Sequence, residues 1–346
     1  MLAHLGVALT ATLTMTLTAP MTAPMTAPMR VPLTAPLTRG SAAADVPQPR
    51  PGRLPGASAS VVANLAGRPV QLTSYSTLGG RDAWNWDPAR RAFVRGEDPV
   101  TVSPDERWEA ILRRDTRAPA AVRFRDRSTG RTTDVELPVP IEHTEHGDLY
   151  LDTLWPTWSP DGRRLLVNVF APGSEPRSEG VVLIDVPSLE PRFVRIEKAL
   201  ITVGGFQWTR DGKGVVVRWG RNGSSSVRLY DLDGEIRRTW HVRGRPADQG
   251  LGTFTPSGRR FVTACTSLER AACVWDTATG KAVTRIRLAF NEKWGTVLGW
   301  YDENRLLAST EDGVGVVDLR GKVVETLLKA DGKENFRPSF TARRPS

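Results

Sequence analysis

The feature that most constrains the fold of this chain is an internal repeat. In each copy an aromatic or apolar residue precedes a tight turn and a β-rich run, and the copies follow one another at intervals of 46 to 56 residues. Solenoids and propellers are the folds with such periods. The copies are VSPDERWEAIL from Val102, WSPDGRRLLVNV from Trp158, WTRDGKGVVVRW from Trp208, FTPSGRRFVTAC from Phe254 and WYDENRLLAST from Trp300.

The turn chemistry inside each unit selects the propeller. Pro160-Asp161-Gly162 combines a preset φ, a side chain that caps its own turn and a residue that tolerates positive φ, so it predicts a hairpin. A second β-run follows in each unit, and its first strand ends in Asp185, Asp231, Asp276 or Asp318 before another turn and strand. Each unit therefore carries four antiparallel strands. No segment shows a long 3.6-residue apolar period, so the helices of an α/β fold are not expected.

A fainter copy, AWNWDPARRAFV, lies at the amino end and places Asp87 where Asp276 stands in its own unit. Two segments compete for the innermost strand of that unit, SVVANLAGR from Ser60 and RPSFTARR around Phe340. The second would close the ring with a blade built from both chain ends and would remove exposed sheet edges, so we favour it.

The predicted fold class is thus all-β: a single propeller of about six four-stranded antiparallel blades, closed by pairing of the N- and C-terminal strands. The predicted organisation is a leader over 1–44, a flexible linker over 45–58 and the propeller over 59–346, with blades near 60–96, 100–138, 154–198, 205–243, 250–288 and 295–330 and a closing strand over 336–342.

These repeats resemble the WD40-like and TolB-type propeller repeats of bacterial exported proteins, whose blades carry a W-S-P-D-G-R-R turn and a later strand ending in Asp. The likeness spans about residues 60–342 and is closest from Trp158 to Leu166. The Gly-His and Trp-Asp pairs that mark eukaryotic WD40 blades are mostly absent, although Trp86-Asp87 and Trp275-Asp276 keep the second. The sialidase Asp-box is not matched. The resemblance implies fold rather than activity, because propellers host many unrelated functions.

The first 44 residues contain no Asp or Glu and differ from the rest of the chain. An apolar, Thr-rich stretch from Leu5 to Ala19 has the length of a signal-peptide h-region, and Ala42-Ala43-Ala44 is an A-x-A cleavage pattern. We therefore expect a secreted or extracytoplasmic protein that is cleaved after Ala44. A start codon assigned too early and an uncleaved anchor are the alternatives. No later stretch is long and apolar enough to span a membrane.

The net charge of +9 invites a nucleic-acid interpretation. Basic residues are interleaved with Asp and Glu in every segment, however, and no basic helix or Lys-rich tail occurs. An electrostatic footprint for nucleic acid needs one concentrated face, so no nucleic-acid partner is predicted.

Cys265 and Cys273 are the two cysteines of the chain and lie in the segment RFVTACTSLERAACVWD. Antiparallel pairing about Glu269 would set them opposite each other across the sheet, where a disulfide is geometrically reasonable. Such a bond suits an oxidising compartment. Two buried thiols without a bond are the alternative.

The sequence offers little for catalysis. It contains no G-x-S-x-G elbow, P-loop or dinucleotide fingerprint. The segment Glu142 to Asp148 holds His143 and His146 with three carboxylates, which are suitable ligand types for a divalent metal. The structural interpretation is a solvated loop, because His-x-x-His without a helix or a distant third ligand is weak evidence for a metal site. No cofactor is predicted, and a divalent metal on His143, His146 and Asp148 is the alternative.

That segment also lies in the longest connection between two units, and in propellers such connections gather at the mouth of the central channel. The other connections of this class contribute mixed charge. A large aromatic in an apparent loop, Trp294, is a candidate contact residue or a plug between blades. The predicted binding-face residues are His143, His146, Arg245, Asp248 and Trp294.

Two functions from different classes follow. The leading hypothesis is a monomeric, non-catalytic module that binds a protein, peptide or glycan of the cell envelope at the channel mouth. The alternative is a metal-dependent hydrolase or lactonase with its ion at the channel mouth, as some six-bladed propellers are, which requires ligands from several blades to converge. A third possibility is a scaffold anchored by its amino terminus. Asp161 and Asp211 are interpreted as turn caps and not as catalytic residues.

Overall fold

The structure is a computed structural model. It describes residues 47–77, 82–115, 118–139, 141–144, 147–150, 152–171, 177–186, 188–196, 199, 205–220, 226–247, 251–266, 271–288, 297–330 and 336–343. The predicted leader and its cleavage site lie outside this set. All regular structure in the described residues is β-strand, and none of them belongs to a helix that is long and apolar enough to cross a membrane.

The described strands form six blades of four antiparallel strands each, with the first strand innermost; two further strands extend the sheet of blade 6, and a separate two-stranded hairpin lies between blades 2 and 3. The first half of the chain forms β1 (Gly52–Arg53) and β2 (Ala59–Val61); β3 (Val70–Thr77), β4 (Asp82–Asp87) and β5 (Ala92–Gly96) of blade 1; β6 (Thr101–Val102), β7 (Trp108–Asp115), β8 (Ala118–Asp126) and β9 (Thr132–Glu136) of blade 2; the hairpin β10 (Ile141–Thr144) and β11 (Gly147–Tyr150); and β12 (Asp152–Trp158), β13 (Arg164–Ala171), β14 (Arg177–Asp185) and β15 (Glu190–Arg195) of blade 3.

The second half repeats this plan three more times and then returns to blade 1. It forms β16 (Gln207–Trp208), β17 (Gly214–Trp219), β18 (Ser226–Asp231) and β19 (Ile236–Trp240) of blade 4; β20 (Arg245–Pro246), β21 (Arg260–Thr266), β22 (Ala271–Asp276) and β23 (Ala282–Arg287) of blade 5; β24 (Val297–Trp300), β25 (Arg305–Thr310), β26 (Gly313–Asp318) and β27 (Val323–Ala330) of blade 6; and β28 (Arg337–Ala342). The all-β propeller of six blades is therefore confirmed.

The ring closes through β28, which pairs with β3 as the innermost strand of blade 1. Phe340 lies opposite Leu72 in this ladder, and both side chains are buried. Closure by both chain ends is thus confirmed. The competing segment from Ser60 is not an innermost strand, because β2 pairs instead with β27 at the outer edge of blade 6. The segment from Ser60 cannot be the innermost strand of blade 1, because β28 occupies the inner edge of β3.

The amino-terminal segment adds two outer strands to blade 6, with β1 pairing on β2. Leu54 is buried beside them. The same segment is tied to blade 1, because Tyr75 Oη donates to the carbonyl of Pro55 (2.7 Å) and Trp86 Nε1 to that of Pro47 (2.8 Å). The described part of the expected linker, 47–58, is therefore packed structure rather than a flexible lead-in.

The repeated turns are built as their sequence predicts. Gly162 has φ +66°, and Ser159 Oγ donates to Asp161 Oδ1 (2.6 Å), which also accepts from the backbone N–H of Arg163 (3.1 Å). Asp211 repeats this arrangement with Thr209 and Lys213. These carboxylates cap their own turns, so they are structural groups at the rim of the ring.

Apolar side chains of adjacent blades interleave to form the core. One cluster joins Ala110, Val122 and Phe124 of blade 2 to Trp158 and other residues of blade 3. Indole N–H groups add hydrogen bonds between blades: Trp208 Nε1 donates to Thr157 O (3.0 Å), and Trp300 Nε1 donates to Thr253 O (2.9 Å). The blade faces are thus held together by packing and by a few directional contacts.

A disulfide joins Cys265 and Cys273, whose Cα atoms are 5.6 Å apart. The observed register of β21 and β22 differs from the predicted one by a β-bulge. Cys273 pairs with Thr263, and the ladder shifts between Ala264 and Thr266, so Cys265 is the extra residue rather than the direct partner. A bulge turns its side chain toward the neighbouring strand, which lets the two sulfur atoms meet without direct pairing.

Candidate functional site: the upper ends of blades 4 and 5

The two faces of the ring differ in their connections. We call the face with the turns between first and second strands the lower face, and the face where one blade passes to the next the upper face. The predicted contact residues were expected in connections of the upper face. Asp248, Trp294 and His146 lie outside the described residues.

Arg245 does not lie in a connection, because it begins the innermost strand of blade 5 and pairs with Ala264. His143 and Asp148 lie in the hairpin of β10 and β11, where their backbones pair directly. The segment expected to be a loop is therefore regular β-structure between blades 2 and 3. Among the described residues, no group of three or more His, Cys, Asp and Glu side chains is placed to hold a metal ion.

Around Arg245 the upper strand ends of blades 4 and 5 are rich in arginine. No Asp or Glu lies there in the described residues, because the described acidic residues of both blades lie at the lower turns and adjoining strand ends. Like charges on neighbouring strands raise the local positive potential, which attracts anions over about a Debye length. The arginines of these upper ends are Arg218, Arg228, Arg243, Arg245, Arg285 and Arg287.

Arg218 and Arg228 form no ion pair with a carboxylate of the described residues. The guanidinium of Arg228 lies over the ring of Trp219, with Cζ 3.5 Å from the ring centroid. The Nε atoms of Arg218 and Arg228 are buried and have no hydrogen-bond partner in the described part of the chain. Stacking on an indole keeps the planar guanidinium of Arg228 oriented.

The sheet register places these two arginines on opposite faces of blade 4. Arg228 lies opposite Val217, which packs toward blade 3, and Arg218 lies opposite Val227, which packs toward blade 5. In blade 5, Arg285 lies opposite Cys273, beside the disulfide. The arginines therefore flank both clefts of blade 4.

At the lower face the turn carboxylates Asp161 and Asp211 accept hydrogen bonds within their own turns. Burial opposes ionisation of Asp161, but the hydrogen bonds from Ser159 and from the N–H of Arg163 outweigh it and hold the pKa of Asp161 below its usual value. The pKa of Asp211 is lowered in the same way: burial opposes ionisation, and Thr209 and Lys213 donate. These carboxylates are ionised at neutral pH and are saturated by their own turns.

A buried ion pair in blade 2 has a structural explanation as well. Burial raises the pKa of Glu109, and the positive charges of Arg127 and Arg125 oppose that rise. The Arg127 guanidinium lies 3.2 Å from the Glu109 carboxylate and donates to the carbonyl of Glu106. The group is engaged in joining strands within blade 2, so we do not assign it to a site.

Sequence reasoning identified Arg245 and missed the other arginines of the cluster. Their signal is present in the sequence: each stands at the strand end remote from the Pro-Asp-Gly type of turn. Interleaving along the chain hid this, because the described Asp and Glu occupy the turns beside other arginines, while the arginines of the cluster occupy the opposite ends of the same strands.

Comparison with known proteins gives likeness of fold. No family model matches the chain, and no curated protein matches it in sequence. TolB from Acinetobacter baumannii is 15% identical over 81% of this chain and 68% of its own, with a TM-score of 0.45. Hydrazine synthase of Kuenenia stuttgartiensis is 14% identical over 81% of this chain and 98% of that chain, with a TM-score of 0.47.

Dipeptidyl peptidase 4 of Porphyromonas gingivalis is 14% identical over 80% of this chain and 45% of its own, with a TM-score of 0.45. The resemblance to TolB-type propellers that the repeats suggested is consistent with these similarities. At such identities the likeness concerns fold alone and says nothing of activity or ligand.

Proposed function

We propose that this chain is an exported, non-catalytic β-propeller that binds a protein partner of the cell envelope at its upper face, and that the partner presents carboxylates to blades 4 and 5. One observation carries the proposal: six arginines share these upper strand ends with no described acidic residue. Arginine is suited to planar, bidentate recognition of carboxylates. Asp248, Trp294, His143 and His146 stay predicted contact residues of the same face.

Export is supported by two independent features. The chain begins with an apolar stretch and an A-x-A pattern of the kind that precedes signal-peptide cleavage. Disulfides persist in oxidising compartments, and Cys265 and Cys273 are bonded. Mass spectrometry of secreted material tests this part, because it reports the amino terminus and the state of both cysteines.

Binding is tested by charge reversal at two upper arginines, Arg243→Glu with Arg287→Glu. Both side chains are exposed, so the fold should tolerate the change. The matched control is Arg50→Glu with Arg53→Glu, which changes the net charge equally in the exposed amino-terminal segment. The immobilised mature domain is incubated with envelope proteins, and the captured set is quantified by mass spectrometry at low and physiological salt.

The upper variant should lose acidic proteins that the wild type and the control retain, and the loss should be largest at low salt because charge attraction is screened by ions. Identical captured sets for the upper variant and the wild type would show that this face does not bind the partner.

A further inference from the structure

A groove of about 720 Å³ lies between blades 2 and 3, away from the upper arginines. Its size is that of an ordinary small-ligand site. The indole of Trp108 and the carboxylates of Asp126 and Asp134 line it from blade 2, and Leu189 and Pro191 line it from blade 3. Comparison of the repeats explains why a groove opens here.

In two other interfaces an arginine of the outer strand crosses to the next blade. Arg192 donates to the carbonyl of Leu232 (2.7 Å) from blade 3 to blade 4, and Arg238 contacts the carbonyl of Ala278 from blade 4 to blade 5. Both arginines pair with the residue two positions before the Asp that ends the third strand. At the same register position of blade 2 stands Thr133, which is too short to cross.

The turn between the third and fourth strands of blade 3, which faces the groove, also differs from the corresponding turns of blades 4 and 6. Between the third and fourth strands of blades 4 and 6, Gly234 and Gly321 lie against the outer strand of the preceding blade, where added Cβ atoms would come within 2.8 and 2.6 Å of backbone oxygens. In blade 3 the positive φ of this turn is taken by Leu189 (φ +58°). A leucine at this point presents a side chain to blade 2 where glycine allows backbone contact, and this side chain packs against the apolar cluster that joins the two blades.

Trp108 occupies a position where the fold does not need tryptophan. It pairs with Asp126 at the start of the second strand, and the equivalent residues of blades 3, 4 and 5 are Arg164, Gly214 and Arg260. Its ring contacts Phe124 edge-on (centroids 6.4 Å apart) and remains part of the groove wall.

The acidic groups of the groove are already neutralised. Asp134 accepts from Arg123 Nε (2.7 Å) and Arg113 (3.2 Å), and these bonds lower its pKa. Burial opposes ionisation of Asp126, but hydrogen bonds from Ser128 and from Arg107 (3.1 Å) outweigh it and lower the pKa of Asp126.

The Arg107 guanidinium also lies 5.4 Å from the Trp108 ring centroid, so a second cation at this indole would be repelled. Exposed Glu136 and Arg131 at the groove wall balance each other in charge. The groove therefore suits an uncharged ligand.

We propose that this groove binds a neutral saccharide, with one sugar ring stacked on Trp108. The electron-rich face of an indole accepts the C–H groups of a sugar ring face. The ionised carboxylates and the Ser188 hydroxyl, which itself donates to the carbonyl of Asp185, can accept hydrogen bonds from sugar hydroxyls. The Thr133 hydroxyl can both donate and accept. An uncharged polyhydroxylated ring can stack on the aromatic plane and form hydrogen bonds with hydroxyls and with carboxylates whose charge is balanced by arginine. The site is independent of the upper face.

The test uses the full mature domain and a panel of neutral tetrasaccharides built from glucose, galactose, mannose and N-acetylglucosamine. Binding is measured by calorimetry and by saturation-transfer NMR, with a tetralysine peptide as the charged probe. The blocking variant is Thr133→Arg, which introduces the crossing side chain of blades 3 and 4. Its matched control is Thr284→Arg, because Thr284 holds the same register position in blade 5. A second variant, Trp108→Arg, carries the residue found at this position in blades 3 and 5.

At least one tetrasaccharide should bind with a dissociation constant of about 1 mM or lower, and both groove variants should weaken it about tenfold or more. Thr284→Arg should bind as the wild type does, and all variants should keep the wild-type melting temperature within a few degrees. Binding by no tetrasaccharide, preference for tetralysine, or equal binding by wild type and Thr133→Arg would each overturn the assignment.

Discussion

Replacing Trp300 by Phe removes an indole N–H that crosses from blade 6 to blade 5. The acceptor, the carbonyl of Thr253, lies 2.9 Å from Nε1, and the hydrogen bond is buried. Trp158 offers a comparison within the same protein, because it ends the first strand of blade 3 as Trp300 ends that of blade 6. Its Nε1 is buried as well but has no hydrogen-bond partner among the described residues.

The two substitutions remove the same ring volume, so the cavity costs should largely cancel in their difference. Trp300→Phe loses a buried hydrogen bond, which costs about 0.5 to 1.5 kcal/mol, because the Thr253 carbonyl still accepts from the backbone N–H of Val262 (3.0 Å). Trp158→Phe removes an unsatisfied donor, which offsets the lost volume by a similar amount, about 1 to 3 kcal/mol. Trp300→Phe should therefore be more destabilising than Trp158→Phe by about 1.5 to 4.5 kcal/mol.

The assay is equilibrium unfolding in guanidinium chloride, comparing midpoints at an unchanged m-value. Trp208→Phe serves as a second member of the bonded class, since Trp208 Nε1 donates to Thr157 O. Equal losses for Trp158→Phe, Trp208→Phe and Trp300→Phe would refute the reasoning, because ring volume alone would then account for the effect.

Three further predictions concern the turns, the disulfide and the ring closure. Asp161→Ala should cost about 1 to 2 kcal/mol of unfolding free energy at neutral pH. Because the folded pKa of Asp161 is lowered, this contribution is present above the ordinary value of 3.8 and should disappear as the pH falls below it. Melting temperatures of both proteins from pH 7 to pH 2 would show the difference. Replacing Cys265 and Cys273 by Ser, which opens a loop with a sequence separation of 8, should cost about 2.5 kcal/mol in denaturant unfolding, and reductant should then no longer affect stability. Arg343→Ala should cost about 3 kcal/mol, since it leaves the largely buried Glu106 carboxylate without its cation; Arg90→Ala, which breaks the exposed pair with Asp87, should cost less than about 1 kcal/mol in the same unfolding measurement.

The strands and turns were predictable because their causes are local. Pro160, Asp161 and Gly162 specify a reversal through φ and a side-chain cap, and the period of the repeat sets the number of blades. Phe340 was predicted to close the ring because its segment copies the start of a blade, and β28 does so. The bond between Cys265 and Cys273 was also anticipated.

Other features were not predictable from the segment that carries them. The bulge at Cys265 displaces one strand by a single residue, and nothing in the alternation of apolar residues marks that shift. The segment from Ser60 has the composition of any strand, so its place at the outer edge of blade 6 depends on which edge other strands leave open. The arginine cluster likewise needs the strands to be aligned before its charges are neighbours.

Sequence alone determined the unit of this protein: its four strands, its capped turns, the number of copies and the way the last copy returns to the first. Tertiary structure alone decided where surfaces with chemical character arise. The groove beside Trp108 brings Thr133 of blade 2 and Leu189 of blade 3 to one surface, and the upper ends of blades 4 and 5 are basic because their described acidic residues lie at the lower ends. The reason is physical: turn and strand formation depend on neighbours along the chain, whereas a groove or a field depends on the positions of groups that only folding brings together.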